Sequence, residues 1–344
     1  MFFYFILLFF IIITCGRFYV LKDKRIIGKY DGYRIALLYI IFFSSFRFNI
    51  GYDWNQYLSF VYPTFNIASL PNHELFNRYI YIIAGTIGHP WVLFCLYAIL
   101  TYTLIGKTIF DFSCDKYASL MIYICLFYLP GLSTIRQEVA VAIVFYAYRF
   151  IKGKKIIKYC FCCILASLFH KSAIICVFFY PLFYSKFSIV IIFMFLFSLL
   201  YRNILPRVIS TFYPHYMSYL SVDLKHFSGN FQKMFYLALL FYVFIINKTN
   251  KNIGMINICL VGCMLPYIFG GHTGGRLAEY FLFYYILLLP ECNKRVNKTI
   301  RILFLFPFYA FFFIYLFVSV YKNHSNEYVP FRWYFLESLE QKLQ

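Results

Sequence analysis

Acidic residues are scarce in this chain. Its 344 residues carry only 13 Asp and Glu, and all charged residues together make up 13%. Little polar sequence is left for a soluble surface, so a water-exposed globular domain is excluded. Patterns for metal and nucleophile chemistry are missing as well: there is no zinc-protease helix, no nucleophilic serine elbow, no paired Asp-x-Asp site and no P-loop. The 11 cysteines fall mostly inside apolar runs. Their closest cluster, Cys160, Cys162 and Cys163, has no histidine or second pair at zinc-ligand spacing, so it reads as packing or lipid-facing thiols. No metal and no cofactor is implied. Hydrophobic residues, in contrast, reach 62% and aromatics 24%, with a mean hydropathy of +0.71. The solvent for such a chain is a lipid bilayer.

A span needs about 20 apolar residues to cross ~30 Å of hydrocarbon. Apolar runs occupy 1–16, 33–46, 90–106, 117–130, 133–151, 156–169, 171–184, 187–201, 231–247, 253–269, 276–290 and 302–321. They predict an all-α, polytopic integral membrane protein of about twelve transmembrane helices, forming a single domain over 1–344 with outer loops at 47–74 and 202–230. Met1 to Thr14 lacks the basic leading segment and small-residue cleavage site of a signal peptide, and reads as the first retained span. The stretch 75–88 holds Arg78, Gly85 and Gly88 and suits an interfacial or re-entrant helix.

The net charge of +19 sits in short clusters between the runs, around 17–34, 107–116, 149–158 and 294–301. Such clusters orient a membrane protein and do not bind nucleic acid. If the first loop is cytoplasmic, most of the Lys and Arg fall on that side, which predicts both termini outside. Polar residues that composition does not explain then gather on the outer face in four stretches: Arg47 to Tyr57, Gly131 to Glu138, Phe169 to Ser172 and Gly270 to Tyr280.

The first stretch sets Arg47, Asn49, Asp53, Asn55 and Gln56 among aromatics. Aromatic faces stack on pyranose rings while amides and carboxylates read hydroxyls, so Asn49, Tyr52 and Trp54 are candidate sugar contacts; an interfacial belt has the same composition. Asp53 is a candidate base or a partner for Arg47. In the second stretch Ser133 or Thr134 can cap a helix whose N-terminus attracts anions, and Arg136 places a phosphate-matched cation just inside it. A snorkelling anchor is the alternative for Arg136, although Gln137 and Glu138 follow at once, Gln137 as a substrate contact and Glu138 as a further candidate base. His170 in the third stretch can take a proton at neutral pH or merely satisfy a helix end. In the fourth, the glycine-rich run from Gly270 to Gly275 forms either an anion nest closed by Arg276 or a flexible turn, with His272 and Tyr280 as candidate substrate contacts.

Three of these stretches, Arg47 to Tyr57 with its Gly51-Tyr52-Asp53-Trp54 core, Ser133 to Gln137, and Phe169 to Ala173, resemble the EpsG family, which groups with Wzy-type O-antigen and capsule polymerases. Arg276 to Tyr280 fits the family's arginine before a span. The resemblance implies a GT-C-like, metal-independent glycosyltransferase in the bacterial inner membrane, or alternatively a Gram-positive plasma membrane, with its site facing the periplasm. It implies transfer of an undecaprenyl-diphosphate-linked glycan chain onto the non-reducing-end sugar of a lipid-linked repeat unit. O-antigen, capsule and exopolysaccharide remain open as products. Arg47, Arg136 and Arg276 would hold the diphosphate, with His170, Asp53 or Glu138 as base. Expected partners are undecaprenyl-diphosphate-linked repeat units, membrane lipids, a chain-length regulator and a flippase. A lipid-linked oligosaccharide flippase and an O-antigen ligase are the alternative functions.

Overall fold

The computed structural model of the chain describes residues 2–20, 31–61, 73–203, 211, 230–247, 252–269, 271–296, 303–323, 328 and 331–335. Each of the twelve apolar runs is predominantly helical, as backbone in hydrocarbon must be if its N–H and C=O groups are to be satisfied within one segment. In chain order the helices are α1 (Phe2–Val20), α2 (Asp31–Ser45), α3 (Trp54–Ser59), α4 (Leu75–Ile87), α5 (Pro90–Phe112), α6 (Lys116–Tyr123), α7 (Leu129–Ser133), α8 (Ile135–Tyr146), α9 (Tyr148–Lys152) and α10 (Ile156–Ser167). They continue with α11 (Cys176–Phe179), α12 (Phe187–Asn203), α13 (Asn230–Ile246), α14 (Ile253–Ile268), α15 (Gly271–Leu282), α16 (Tyr285–Asn293) and α17 (Phe306–Asn323). Most of the loop expected at 202–230 lies outside the described residues, as does 62–72 of the loop at 47–74.

Apolar surface is turned outward. Ile157 is 83% exposed and Phe178 72%, whereas the largest fully buried side chains include Tyr4, Tyr57, Tyr81, Tyr97, Tyr123 and Tyr128. A surface with this much bare Ile, Leu and Phe over a core that encloses many phenols is built for a solvent that forms no hydrogen bonds. By length, Pro90–Phe112 and the continuous run Lys116–Ser133 suffice to cross a membrane alone. Others, such as Ile156–Ser167, are shorter; twelve residues rise ~18 Å, well under the hydrocarbon thickness.

The run Lys116–Ser133 is not uniform. It widens to a π-helical turn at Ile124–Tyr128 just before Pro130. Proline has no N–H, and its ring clashes with the carbonyl four residues back, here Leu126; the wider turn accommodates both. The interfacial expectation for 75–88 is met as far as a helix: α4 ends at Gly88 in a left-handed cap, and its outer face carries Tyr79, Ile82, Ile83 and Ile87.

A two-residue ribbon was not expected of an all-α chain. Arg47–Phe48 (β1) pairs antiparallel with Arg332–Trp333 (β2), and the rings of Phe331 and Trp333 pack on Phe43. The glycine-rich run is a second departure. Gly271 onward is helix, so it is neither an anion nest nor a flexible turn. At Gly274 a Cβ would stand 2.5 Å from the Leu265 carbonyl oxygen; glycine lets α15 press against the end of α14.

The four polar stretches meet at one end of the bundle. Along α5, Tyr97 belongs to that end, while Asp111 lies about 20 Å further on by helical rise. There Asp111 pairs with Arg149 at 3.2 Å, a residue of one of the basic clusters. The polar motifs and the basic clusters at 107–116 and 149–158 thus occupy opposite ends.

Candidate functional site

Helix α8 organises the site. Thr134 stands at its N-cap position without a side-chain capping bond, its hydroxyl donating to the Pro130 carbonyl instead. Arg136, in the first turn, reaches Glu74 at 3.3 Å, and its guanidinium lies over the Tyr57 ring at 6.0 Å. Glu74 occupies the N-cap position of α4 and accepts from Asn77 Nδ2 at 3.0 Å. Asn77, fully buried, donates as well to the Phe169 carbonyl at 2.8 Å and accepts from the Tyr97 hydroxyl at 2.8 Å. These bonds fix Glu74 beside the break between α10 and the turn at Lys171–Ile175. His170 sits in that break, its Nδ1 3.9 Å from Glu74 Oε1.

That separation is too long for a hydrogen bond, and His170 Nδ1 is buried without a partner. Burial pushes the imidazole pKa down to about 4; the positive charges of Arg136 and Arg276 add to this, while Glu74 opposes it. Burial pushes the Glu74 carboxyl up, but its own backbone N–H, Arg136, Asn77 and His170 together outweigh that and hold it below the usual carboxylate range. At neutral pH the cluster is therefore a carboxylate, a guanidinium and a neutral imidazole. A neutral imidazole with a free nitrogen can accept a proton, and the adjacent carboxylate stabilises the cation that results.

The other flank of α8 faces α15. Gln137 Nε2 donates to Glu279 Oε2 at 2.7 Å and to the Arg276 carbonyl at 2.8 Å. Glu138 is 2% exposed; its Oε1 accepts from the Tyr123 hydroxyl at 3.1 Å, and it packs where Gly131 leaves no room for a Cβ. Tyr280 bonds Ser172 through their hydroxyls at 3.1 Å. Between α7, α13, α14, α15 and α17, at the N-cap of α8, lies a cavity of about 210 Å³ whose polar lining includes Thr134, Gln232, Lys233, Arg276 and Glu279.

The sequence-derived candidates thus separate. Arg136, Gln137, His170, Arg276 and Tyr280 are brought together around the two flanks of α8. Arg47 is at the same end but committed elsewhere: it is 2% exposed, its guanidinium lies 4.5 Å over Phe94, and it donates to the carbonyls of Ser44, Ile50 and Leu132. In this conformation it ties the end of α2 to the end of α7 and offers no fork to a phosphate. Trp54 is buried and stacked on Phe94 at 4.2 Å, so its faces are not open to a sugar. Asp53 takes the N-cap position of α3 without capping it. Asn49 and Tyr52 are exposed on the loop ahead of it, and the Tyr52 N–H donates to Ser133 Oγ. Gly51 between them has φ +102° and meets the Leu132 carbonyl at 2.8 Å from a built Cβ, so no other residue fits there. Glu138 is enclosed beside α6 and α7, away from the His170 cluster's proton acceptor. The side chain of His272 lies outside what is described.

Residues that the motif reading missed are Glu74, Asn77, Tyr97, Gln232, Lys233 and Glu279. For the two glutamates a signal existed. In a chain so poor in acid, a carboxylate at or within the end of an apolar run is a functional candidate by default.

No curated protein and no solved structure matches the chain. A protein-family model, that of the EpsG family, which includes Wzy-type polymerases, matches residues 32–333, a range holding both flanks of α8 and the ribbon that closes on Arg47. By that match, a membrane protein with this site belongs to the EpsG family.

Proposed function

We propose that the chain is a surface-polysaccharide polymerase of the bacterial inner membrane, crossing it about twelve times in a GT-C-like arrangement with the α8 end facing the periplasm. It takes a glycan chain from undecaprenyl diphosphate and adds it to the non-reducing-end sugar of a second lipid-linked repeat unit. The observation that carries this reading is the convergence on one helix end of Arg136, Glu74 and His170, with Arg276 near enough for its charge to bear on the same imidazole.

The reaction asks little of the protein. The acceptor hydroxyl forms a bond to the anomeric carbon while the bond from that carbon to the diphosphate oxygen breaks, and the electron pair leaves with the diphosphate. Arg136 and Arg276 neutralise that developing charge, which is worth ~10²–10³ in rate for one well-aimed donor. The His170 imidazole receives the hydroxyl proton, and Glu74 stabilises the imidazolium. Since diphosphate is already a good leaving group, the arginines matter more than the base. A chain-length regulator and a flippase would act beside such an enzyme.

The test is deletion of the gene in its host, followed by complementation with wild type, Arg136→Ala, Arg276→Ala and His170→Ala at matched membrane levels, with the surface polysaccharide resolved on gels. Polymerase activity predicts a single-repeat phenotype in the deletion that neither arginine variant rescues. An undiminished ladder in the deletion strain would refute it. Absence of any repeat unit on the outer face would favour a flippase.

A further inference from the structure

The cavity on the α15 flank has features besides Arg276 that the reaction above does not use. Glu279 lies three residues beyond Arg276 on α15, so the two share a face and are offset by about 4.5 Å of rise. Arg276 is exposed and Glu279 half-buried. Gln137 Nε2 holds Glu279 Oε2 at 2.7 Å, and its second bond, to the Arg276 carbonyl, fixes the amide against the helix that carries both residues. The carboxylate is thereby aimed, with Glu279 lining the cavity. Lys233 and Gln232 contribute from α13, and Gln232 is steadied by the Tyr236 hydroxyl. The remaining wall is apolar and aromatic, including Phe127, Tyr236 and Tyr315.

Three properties narrow the occupant. The volume, about 210 Å³, lies below the ~300 Å³ at which pockets for drug-sized ligands begin, which is room for about one ring. Two cations line it, which suits a phosphate-bearing group. An oriented carboxylate beside aromatic surface suits a ring with hydroxyls on its edge and C–H groups on its face. A sugar whose anomeric oxygen carries a phosphate has all three.

We infer that this cavity is the subsite for the sugar ring directly attached to the lipid diphosphate, with Glu279 as a specificity-determining residue that accepts hydrogen bonds from its hydroxyls and Gln137 as the residue that positions Glu279. The inference rests on the polymerase reading for the identity of the lipid carrier. Recognition of the sugar is separable from the reaction, because binding needs no turnover.

The experiment uses the full chain in nanodiscs and two probes: undecaprenyl diphosphate, and the undecaprenyl-diphosphate-linked oligosaccharide pool extracted from the host. Dissociation constants are measured for wild type, Glu279→Gln, Glu279→Ala and Arg276→Ala. Glutamine at 279 keeps an oxygen to accept from Gln137, preserving the link between α8 and α15 while replacing the second carboxyl oxygen by an NH2 donor. The wild type is expected to prefer the sugar-bearing probe by roughly tenfold, the worth of one or two hydrogen bonds. Glu279→Gln should shrink that preference to less than about threefold with no change for undecaprenyl diphosphate, and Arg276→Ala should weaken both probes alike. Equal affinity of the wild type for the two probes overturns the inference. So does a full preference retained in Glu279→Gln, which would leave Glu279 a tether whose loss shows only as lower stability in Glu279→Ala. Equal competition of both probes by phosphatidylglycerol would assign the cavity to ordinary lipid headgroups. Polymer formation by the same discs is scored separately: sugar preference without polymer removes the polymerase reading and keeps the subsite, and polymer without preference does the reverse.

Discussion

The neutral His170 makes stability depend on pH in a defined window. Its pKa falls to about 4 in the folded chain, against ~6.5 when unfolded. Between those values the unfolded state binds a proton that the folded state does not, so stability rises with pH across the window and is lost on acidification from 6.5 toward 4. At 1.36 kcal/mol per pH unit, the full difference is about 3 kcal/mol. The His170 side chain is 22% exposed, so solvent screening trims that figure without removing it. Thermal unfolding of wild type and His170→Gln in the same detergent, followed by intrinsic fluorescence from pH 7.5 to pH 4, isolates the term because every other titrating group is common to both. Glu74, whose pKa is depressed, contributes at lower pH: its stabilisation is present above the ordinary carboxylate pKa and is lost as pH falls through the folded value. The wild type should lose up to ~3 kcal/mol more than His170→Gln across the window, equivalent to several degrees in Tm. Parallel Tm curves would refute the buried, neutral state of His170, and with it the proton acceptor.

Arg136→Ala at matched expression should lower polymer synthesis in membranes by about 10²–10³, and Arg136→Lys should recover little of it because an ammonium lacks the planar fork; full activity of the lysine variant would remove the bidentate role. Glu74→Gln leaves the Arg136 cation without its carboxylate partner and His170 without its stabilising charge. It should cost up to ~3 kcal/mol in unfolding assays, less than a fully buried pair because both side chains keep some exposure, and a larger factor in turnover than His170→Ala. Arg47→Lys should behave differently from all of these. One ammonium nitrogen cannot reach all three carbonyls that the guanidinium serves from three nitrogens, so the protein should accumulate poorly and unfold ~1–3 kcal/mol more easily, while whatever folds retains its turnover per molecule.

Helix positions were legible in the sequence because lipid imposes a length and polarity rule that each span must obey separately. Tertiary partners were not. Arg47 and Arg136 are both arginines at the outer end of an apolar run, and nothing local distinguishes them. The difference comes from the neighbours they meet: Leu132 and Phe94 for one, Glu74 and Tyr57 for the other. Trp54 reads as a sugar platform until Phe94 covers it. The glycine run reads as a loop because glycine disfavours helix by ~1 kcal/mol, yet close packing of α15 on α14 outweighs that preference at Gly274. Glu74 stands out as a carboxylate at the end of an apolar run, but its partners do not: only the fold brings it to Asn77, Arg136 and the break after Phe169.

One turn of α8 explains why so short a motif carries so much. Successive residues on a helix point 100° apart, so Arg136, Gln137 and Glu138 must address three different neighbours. Arg136 meets Glu74 ahead of α4, Gln137 meets Glu279 and the Arg276 carbonyl on α15, and Glu138 meets Tyr123 on α6. The turn therefore couples the His170 cluster to the cavity flank through rigid backbone, with no linker that can slacken. Register should matter more here than the identity of any single residue. Inserting one alanine between Thr134 and Ile135 preserves every side chain and the helix itself but rotates all three by 100°. Turnover should then fall at least as far as in Arg136→Ala, and compensating the insertion by deleting one residue later in α8 should not restore it. Recovery by that deletion would mean that the spacing along α8, and not the direction in which the first turn points, sets the site.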